Sequence, residues 1–216
     1  MPINNETRKV MSTSQRIRDA HATQKAILDS AEREFASYGL AGARTEVIAA
    51  DTGVTKAMIH HYFQTKERLY EATIERIINS LLASINELRL EAMAPEQAIR
   101  TLVTRLIESG SYQHYPGIMM NESLQNKGKY FREKGGLRLQ WEIIAIVKRG
   151  ISDGVFRSVS PEIAALTILG AAGYIYPARY NMSQLFPNQN PDSKDLHLSY
   201  ANQALDIVLE GLSLSR

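Results

Sequence analysis

Apolar positions along the 216-residue chain recur at intervals of three and four, and nowhere do they alternate singly over the length of a strand. Within residues 21–38, Ile27, Leu28, Ala31 and Phe35 fall on one helical face, and Gly39 stands where a C-cap glycine would. A short helix is predicted over Thr45–Thr52 with Val47, Ile48 and Ala50 inward, then a tight turn at Gly53 and Val54, then a helix over 55–63. Leu69, Thr73, Ile77, Leu81, Ile85 and Leu88 make one continuous stripe, which predicts a long helix over about residues 66–90. Pro95 opens the next, with Ile99, Leu102, Val103, Leu106 and Ile107 on one face. Beyond it the pattern predicts a short helix through Leu124, a Lys/Gly-rich stretch, and helices over 137–151, 161–180 and 196–212, with a loop over 187–193. The expectation is an all-α fold of about nine helices. Residues 1–20, polar and without an apolar period, read as a flexible tail, 21–66 as a small helical domain and 67–216 as a larger one.

Composition narrows the setting. The chain has no cysteine, which excludes disulfides and thiolate metal sites. No run of eighteen apolar residues occurs, and the first residues lack a charged-then-apolar secretion signal, so a soluble cytoplasmic protein is expected. Net charge is only +2, with the excess in residues 1–70, which permits nucleic-acid binding without establishing it. The 161–180 segment is apolar, but Glu162 and Arg179 leave only sixteen residues between them, too few for a membrane span. His-Glu-x-x-His, Gly-x-Ser-x-Gly and the phosphate-loop pattern are all missing, so no enzyme class is indicated and no cofactor is implied.

Two short helices joined at Gly53 and Val54 have the arrangement of a helix-turn-helix, in which the first braces and the second enters the major groove. An ordinary helical hairpin would look much the same. The residues around the turn are more specific. Phe35-Ala36-Ser37-Tyr38-Gly39, then Val47-Ile48-Ala49-Ala50-Asp51-Thr52-Gly53-Val54-Thr55-Lys56, then Ile59-His60-His61-Tyr62-Phe63-Gln64-Thr65-Lys66-Glu67-Arg68-Leu69-Tyr70, resemble the DNA-binding domain of the TetR family of bacterial transcription regulators. The resemblance implies a three-helix DNA-binding domain, a helical ligand-binding domain, and a homodimer on an operator. It makes 55–63 the recognition helix. Thr55 would cap it and donate to a phosphate, and Lys56 would reach the backbone or a base edge. Ala57, Met58 and His60 would face the groove, with His61 beside them. Tyr62 and Lys66 would be phosphate clamps. Arg44 and Thr45 open the preceding helix, where the arginine opposes the helix dipole but could pair with phosphate. His60 stands where the family usually has tyrosine. Adjacent helical residues diverge by about 100°, which argues against His60 and His61 sharing a metal. Arg16 and Arg18 could reach a minor groove, or simply be solvated.

In the larger domain, Asn121-Glu122-Ser123-Leu124, Gly128-Lys129-Tyr130-Phe131-Arg132, Ile151-Ser152-Asp153-Gly154-Val155-Phe156-Arg157 and Gly173-Tyr174-Ile175-Tyr176 look like the body of a subgroup that includes the pyrimidine-responsive regulators. A small-molecule effector pocket needs apolar walls and a few polar groups. Tyr112, His114, Tyr115, Met119, Met120, Asn121, Trp141, Tyr174, Tyr176 and Arg179 supply those types, though aromatics and methionines at helical spacing are usually core, and an arginine such as Arg179 is more often a surface or interface ion-pair partner. Small residues along 161–180, among them Ala164, Ala165, Gly170, Ala171 and Gly173, suit a close helix contact, and the resemblance places a dimer interface on helices 161–180 and 196–212. The function expected is that of a repressor released from a palindromic operator by a small effector, with an activator of the same family, or a helical interaction module without a DNA-reading role, as the alternatives.

Overall fold

The computed structural model describes residues 13–109 and 111–214, and eleven α-helices run through them. They are α1 Thr13–Gly42, α2 Thr45–Thr52, α3 Lys56–Phe63, α4 Lys66–Asn86, α5 Pro95–Glu108, α6 Tyr115–Asn126, α7 Lys129–Glu133, α8 Arg138–Ser152, α9 Pro161–Gly173, α10 Ile175–Ala178 and α11 Lys194–Leu212. Every helix expected from the periodicity is there, and the short α7 and α10 are additions. Among the described residues the only β-type pairing is an isolated antiparallel bridge between Phe156 and Ser213.

Helix α4 is the axis of the molecule. Its stripe residues Leu69, Thr73, Ile77, Leu81 and Ile85 are all buried, as is Leu88 just beyond its end. They pack against α1 on one side and α5, α7 and α8 on the other. Burying one such aliphatic side chain is worth roughly 1.5–3 kcal/mol, so the stripe is enough to hold a helix whose outer face is polar. Ile27, Ala31 and Phe35 of α1 meet it, and Phe35 lies edge-on to Tyr70 at 4.8 Å between centroids. Outside that core, Arg76 of α4 clamps α1 through Asp29 at 2.8 Å and Glu32 at 2.5 Å. Helices α5, α8, α9 and α11 pack successively on one another to complete the body.

Three expectations are corrected. Helix α1 begins at Thr13, so the tail expected over 1–20 is helical from that residue on, while residues 1–12 lie outside the described ones. Extending a helix already nucleated on the core needs good helix formers such as Gln15, Arg16, Arg18 and Ala20, and no apolar period. On α2, Ile48 and Ala49 are buried, whereas Val47 is 45% exposed and Ala50 is exposed. The inward line is Thr45, Ile48, Ala49 and Thr52, a spacing of three, four and seven, and Val47 falls off it. The helix expected over 161–180 stops at Gly173. Pro177 has no N–H for the Gly173 carbonyl and its ring crowds that carbonyl, so the chain turns at Tyr174 into the one-turn α10.

A buried polar knot ties α4, α6 and α7 together. The Glu122 carboxyl group is 1% exposed; it accepts from the Tyr70 hydroxyl at 2.9 Å, the Asn126 amide at 2.6 Å and the Tyr130 backbone N–H at 2.7 Å. Burial, and then the neighbouring Glu122, push the Tyr70 hydroxyl far above its ordinary range, so it remains a donor. Replacing Glu122 with alanine strands three donors. Urea denaturation should show a loss of about 3 kcal/mol for Glu122→Ala, and about 1 kcal/mol for Glu122→Gln, which keeps one acceptor.

Candidate functional site

The turn between α2 and α3 is built by two residues with different tasks. Gly53 has φ 69° and ψ 13°, a left-handed conformation, with open space where a Cβ would stand, so glycine is there for backbone freedom alone. Thr55 then caps α3, its Oγ1 accepting from the Met58 N–H at 3.2 Å. At the far end Gln64 turns the chain with φ 66°, and Thr65 caps α4 by accepting from the Arg68 N–H at 3.1 Å.

This frame aims α3 outward. Ile59 alone is buried; Val54, Tyr62 and Phe63 are half-buried against the core, and Thr55, Lys56, Ala57, Met58, His60 and His61 are exposed. Five of the eight α3 residues thus present one continuous face with two imidazoles, one ammonium, one methyl and one thioether. Lys56 is ion-paired with Glu46 of α2 across this face. Arg44 is exposed beside it. Its backbone N–H is held by the buried Glu34 carboxyl group at 2.9 Å, which takes the place of the side-chain cap that α2 lacks. Thr45 is half-buried and its hydroxyl turns toward Glu46 at 3.5 Å. Lys66 is drawn inward, its ammonium donating to the carbonyls of Ala41 at 3.3 Å and Ala43 at 3.2 Å. Two of its three donors serve the end of α1. Among the described residues no group of three or more metal-ligating side chains occurs. The side chains of Arg16 and Arg18 lie outside the described ones.

The residues picked for an effector pocket separate into two neighbouring cavities. One, of about 210 Å³, is lined by Tyr112, Tyr115, Pro116, Met119, Met120, Gln140, Leu166, Leu169, Gly170, Gly173, Tyr174 and Pro177. Its walls are mostly apolar. Tyr112 and Tyr115 stack at 5.7 Å between centroids, and Tyr176 meets Tyr112 edge-on at 5.4 Å from behind. Burial raises both hydroxyls, Tyr115 to about 12, so both stay protonated. The Gln140 amide lies 3.3 Å from the Tyr115 oxygen. A Cβ at Gly173 would stand 2.8 Å from the Tyr112 oxygen, so glycine there leaves room for the ring.

The second cavity, about 530 Å³, opens between α1, α6 and α10 and takes in His114, Met120, Asn121, Tyr176 and Arg179. Asn121 is not free within it: its amide donates to the Ala36 carbonyl of α1 at 2.9 Å and to Gly117 at 3.1 Å. Arg179 donates to Asp192 at 2.7 Å and to the Tyr176 carbonyl, and lies 4.6 Å over the Tyr180 ring, so the ion-pair reading of this arginine is the one realised. Trp141 lines neither cavity. It is 56% exposed on the outer face of α8, because Gln140, Ile143, Ile144 and Val147 occupy the inner one. Sequence patterns missed Gln140, Leu169, Gly170 and Pro177, whose composition is that of any helix packing; only their convergence on one space marks them.

Burial first, and then the guanidinium groups of Arg33, Arg179 and Arg76, hold the His114 imidazole down to about 4. An unfolded histidine titrates near 6.5, so between the two values the unfolded chain binds the extra proton and stability falls as the pH drops. Urea titrations at about pH 5 and about pH 7.5 should show that His114→Gln removes this acid loss and changes little at the higher pH.

Comparison with known proteins agrees with this geometry. Residues 27–73 match the family model described as bacterial regulatory proteins, tetR family, and residues 92–215 match a tetracyclin repressor-like C-terminal domain. The HTH-type transcriptional repressor NicS of Pseudomonas putida is 28% identical over 215 residues, covering 96% of this chain and 99% of that protein. The HTH-type transcriptional regulator RutR of Escherichia coli is 37% identical over 99 residues, 46% of either chain. Among solved structures, a transcriptional regulator from Rhodococcus sp. Rha1 superposes with a TM-score of 0.64 at 15% identity, covering 89% of this chain and 99% of that one. The ketosteroid transcriptional regulator KstR2 of Mycobacterium tuberculosis gives 0.62 at 17% identity, covering 89% and 95%. Both likenesses bear on the fold. With family models matching its helix-turn-helix and more than half its length in the body, this chain belongs to the TetR family of bacterial transcription regulators.

Proposed function

We propose that the chain is a ligand-released repressor that grips an inverted-repeat operator as a homodimer, with residues 21–66 reading DNA and 67–216 binding ligand and partner. The observation that carries the reading is the outward face of α3, where Lys56, Ala57, Met58, His60 and His61 stand exposed over a single buried anchor, Ile59. Ala57 and Met58 offer apolar contact to thymine methyl groups, and His60 a donor or acceptor to a base edge. Lys56 exchanges Glu46 for a phosphate. Arg44, Thr45, Thr55, Tyr62 and the third ammonium N–H of Lys66 complete the backbone contacts, which hold position and carry no sequence information.

The dimer interface rests on α9 and α11. Ile163 and Leu166 on α9 and Ile207 on α11, the last 74% exposed, leave an apolar face that water alone covers in a monomer. Ala164, Ala165 and Gly170 keep α9 slim enough for close approach. The tyrosine-walled cavity borders this face through Leu166 and Tyr174, so an occupant of the cavity bears on the interface and through α6 on α1. To move the protein from mostly bound to mostly free, the effector must prefer the released conformation by about 10⁴-fold, or about 5.5 kcal/mol.

Duplexes selected from a random pool by the purified protein should converge on an inverted repeat, with binding that weakens steeply as salt rises. Lys56→Ala and Arg44→Ala should each reduce the salt slope by about one. Met58→Ala should cost about 1 kcal/mol or more and relax preference at one base pair only. A sequence-blind pool, or variants that bind as tightly as the parent, contradict the reading. Ile207→Glu should convert a dimer to a monomer in sedimentation equilibrium at micromolar concentration, and a variant that stays dimeric removes α11 from the interface.

A further inference from the structure

The cavity between α1, α6 and α10 has a charge pattern that the tyrosine-walled cavity lacks. Arg33, His114 and Arg179 lie on its walls, with no aspartate or glutamate among the lining residues. The adjoining space beyond Arg179 is different, since Glu108 and Asp192 balance it. Each guanidinium has spent only part of its capacity. Arg33 reaches Asp51 of α2 through Nη2 at 2.5 Å, and Arg179 uses Nε and Nη1, which leaves donors on both without a partner among the described residues. Ala36, Met120, Leu124 and Pro177 make the rest of the wall apolar.

We propose that this cleft is a second ligand site, separate from the tyrosine cavity, for a small organic anion: a carboxylate carried on an apolar body. Two guanidinium groups, one from α1 and one just beyond α10, suit a carboxylate better than any neutral group, because each offers paired donors and a charge. His114 stays neutral near pH 7, so its ring contributes a hydrogen bond rather than a third charge. The placement matters for regulation. Ser30 and Arg33 of α1 together hold Asp51 at the end of α2, and the anion competes with Asp51 for the charge of the Arg33 guanidinium. Occupancy therefore loosens α2, and with it the frame of α3, directly from the seam between the two domains.

The test uses the full chain and titration calorimetry, with benzoate and hexanoate as probes, benzamide and hexanamide as their neutral counterparts, and sulfate as a bare ion. The carboxylates should bind at least about tenfold more tightly than the amides, and Arg33→Gln and Arg179→Gln should each weaken them by about tenfold. Leu124 is 77% exposed at the cavity, so Leu124→Glu adds a repelling charge there without touching the core, and it should weaken the carboxylates similarly. Asp51→Asn frees Arg33 and should tighten binding a few-fold. Tyr174→Ala, in the other cavity, should leave binding unchanged. Amides that bind as well as acids, sulfate that binds as well as either, or failure of every carboxylate at millimolar concentration overturns the proposal. Sensitivity to Tyr174→Ala with indifference to Arg33→Gln and Asp51→Asn does the same, by moving the ligand to the neighbouring cavity. None of these readouts involves DNA, so they stand whatever the operator experiments show.

Discussion

A helix that breaks inside a protein leaves carbonyls and amides that must find partners, and the break in α1 at Gly39 sets the terms for everything around it. Gly39 takes φ 64°, and the groups on either side of it are met by side chains from the body. Asn121 donates to the Ala36 carbonyl, Gln125 donates to the Tyr38 carbonyl at 3.2 Å and accepts from the Ala41 N–H at 3.1 Å, and Lys66 covers the carbonyls of Ala41 and Ala43. Gly117, Asn121 and Gln125 follow one another at intervals of four along α6, so a single helical edge does most of this. A Cβ at Gly117 would stand 3.0 Å from the Ala36 carbonyl oxygen, which keeps the two backbones close. The DNA-reading helices hang from that seam.

The same seam explains why ligand chemistry and DNA chemistry can be coupled in so small a molecule. The two cavities lie on either side of Met120 and Pro177, and both touch α6. Along the edge of Gly117, Asn121 and Gln125, which also borders the larger cavity, α6 carries the hydrogen bonds to the end of α1, and α1 in turn holds α2 in part through Arg33 and Asp51. A displacement of α6 cannot be absorbed by a soft interface, because the bonds along it are short, directional and in part buried. The Glu122 knot makes the other face of α6 equally stiff toward α4. In the mechanism proposed above, coupling rests on a chain of specific contacts between rigid helices, each with a measurable partner.

Much of the fold could be read from apolar spacing. The stripe on α4, the faces of α1 and α5, and the cap at Thr55 are local features, each written in a window of a dozen residues, and the structure realises them. Short helices are less legible. On α2 two registers of apolar residues compete within eight positions, and only packing against α1 and α3 selected Ile48 and Ala49 over Val47 and Ala50. Trp141 shows the same limit, since a large aromatic on an amphipathic helix reads as buried until its neighbours are known. Of the pocket residues, the tyrosines and methionines were recognisable by type, whereas Gln140, Gly170 and Pro177 carry no signal of their own.

What the sequence by itself determined is whatever depends on neighbours three or four residues away: helix identity, the caps, the glycine at the turn, and the family-specific block from Val47 to Tyr70. The tertiary structure decided what depends on residues far apart in the chain. It set Lys66 against the carbonyls of α1, spent Asn121 on the seam, paired Arg179 with Asp192, and divided one list of candidate pocket residues between an apolar cavity and one bordered by arginines. The reason is physical. Helix formation is governed by local backbone and side-chain energetics, while a cavity's shape and charge are sums over groups from several helices, and no window along the chain contains them together.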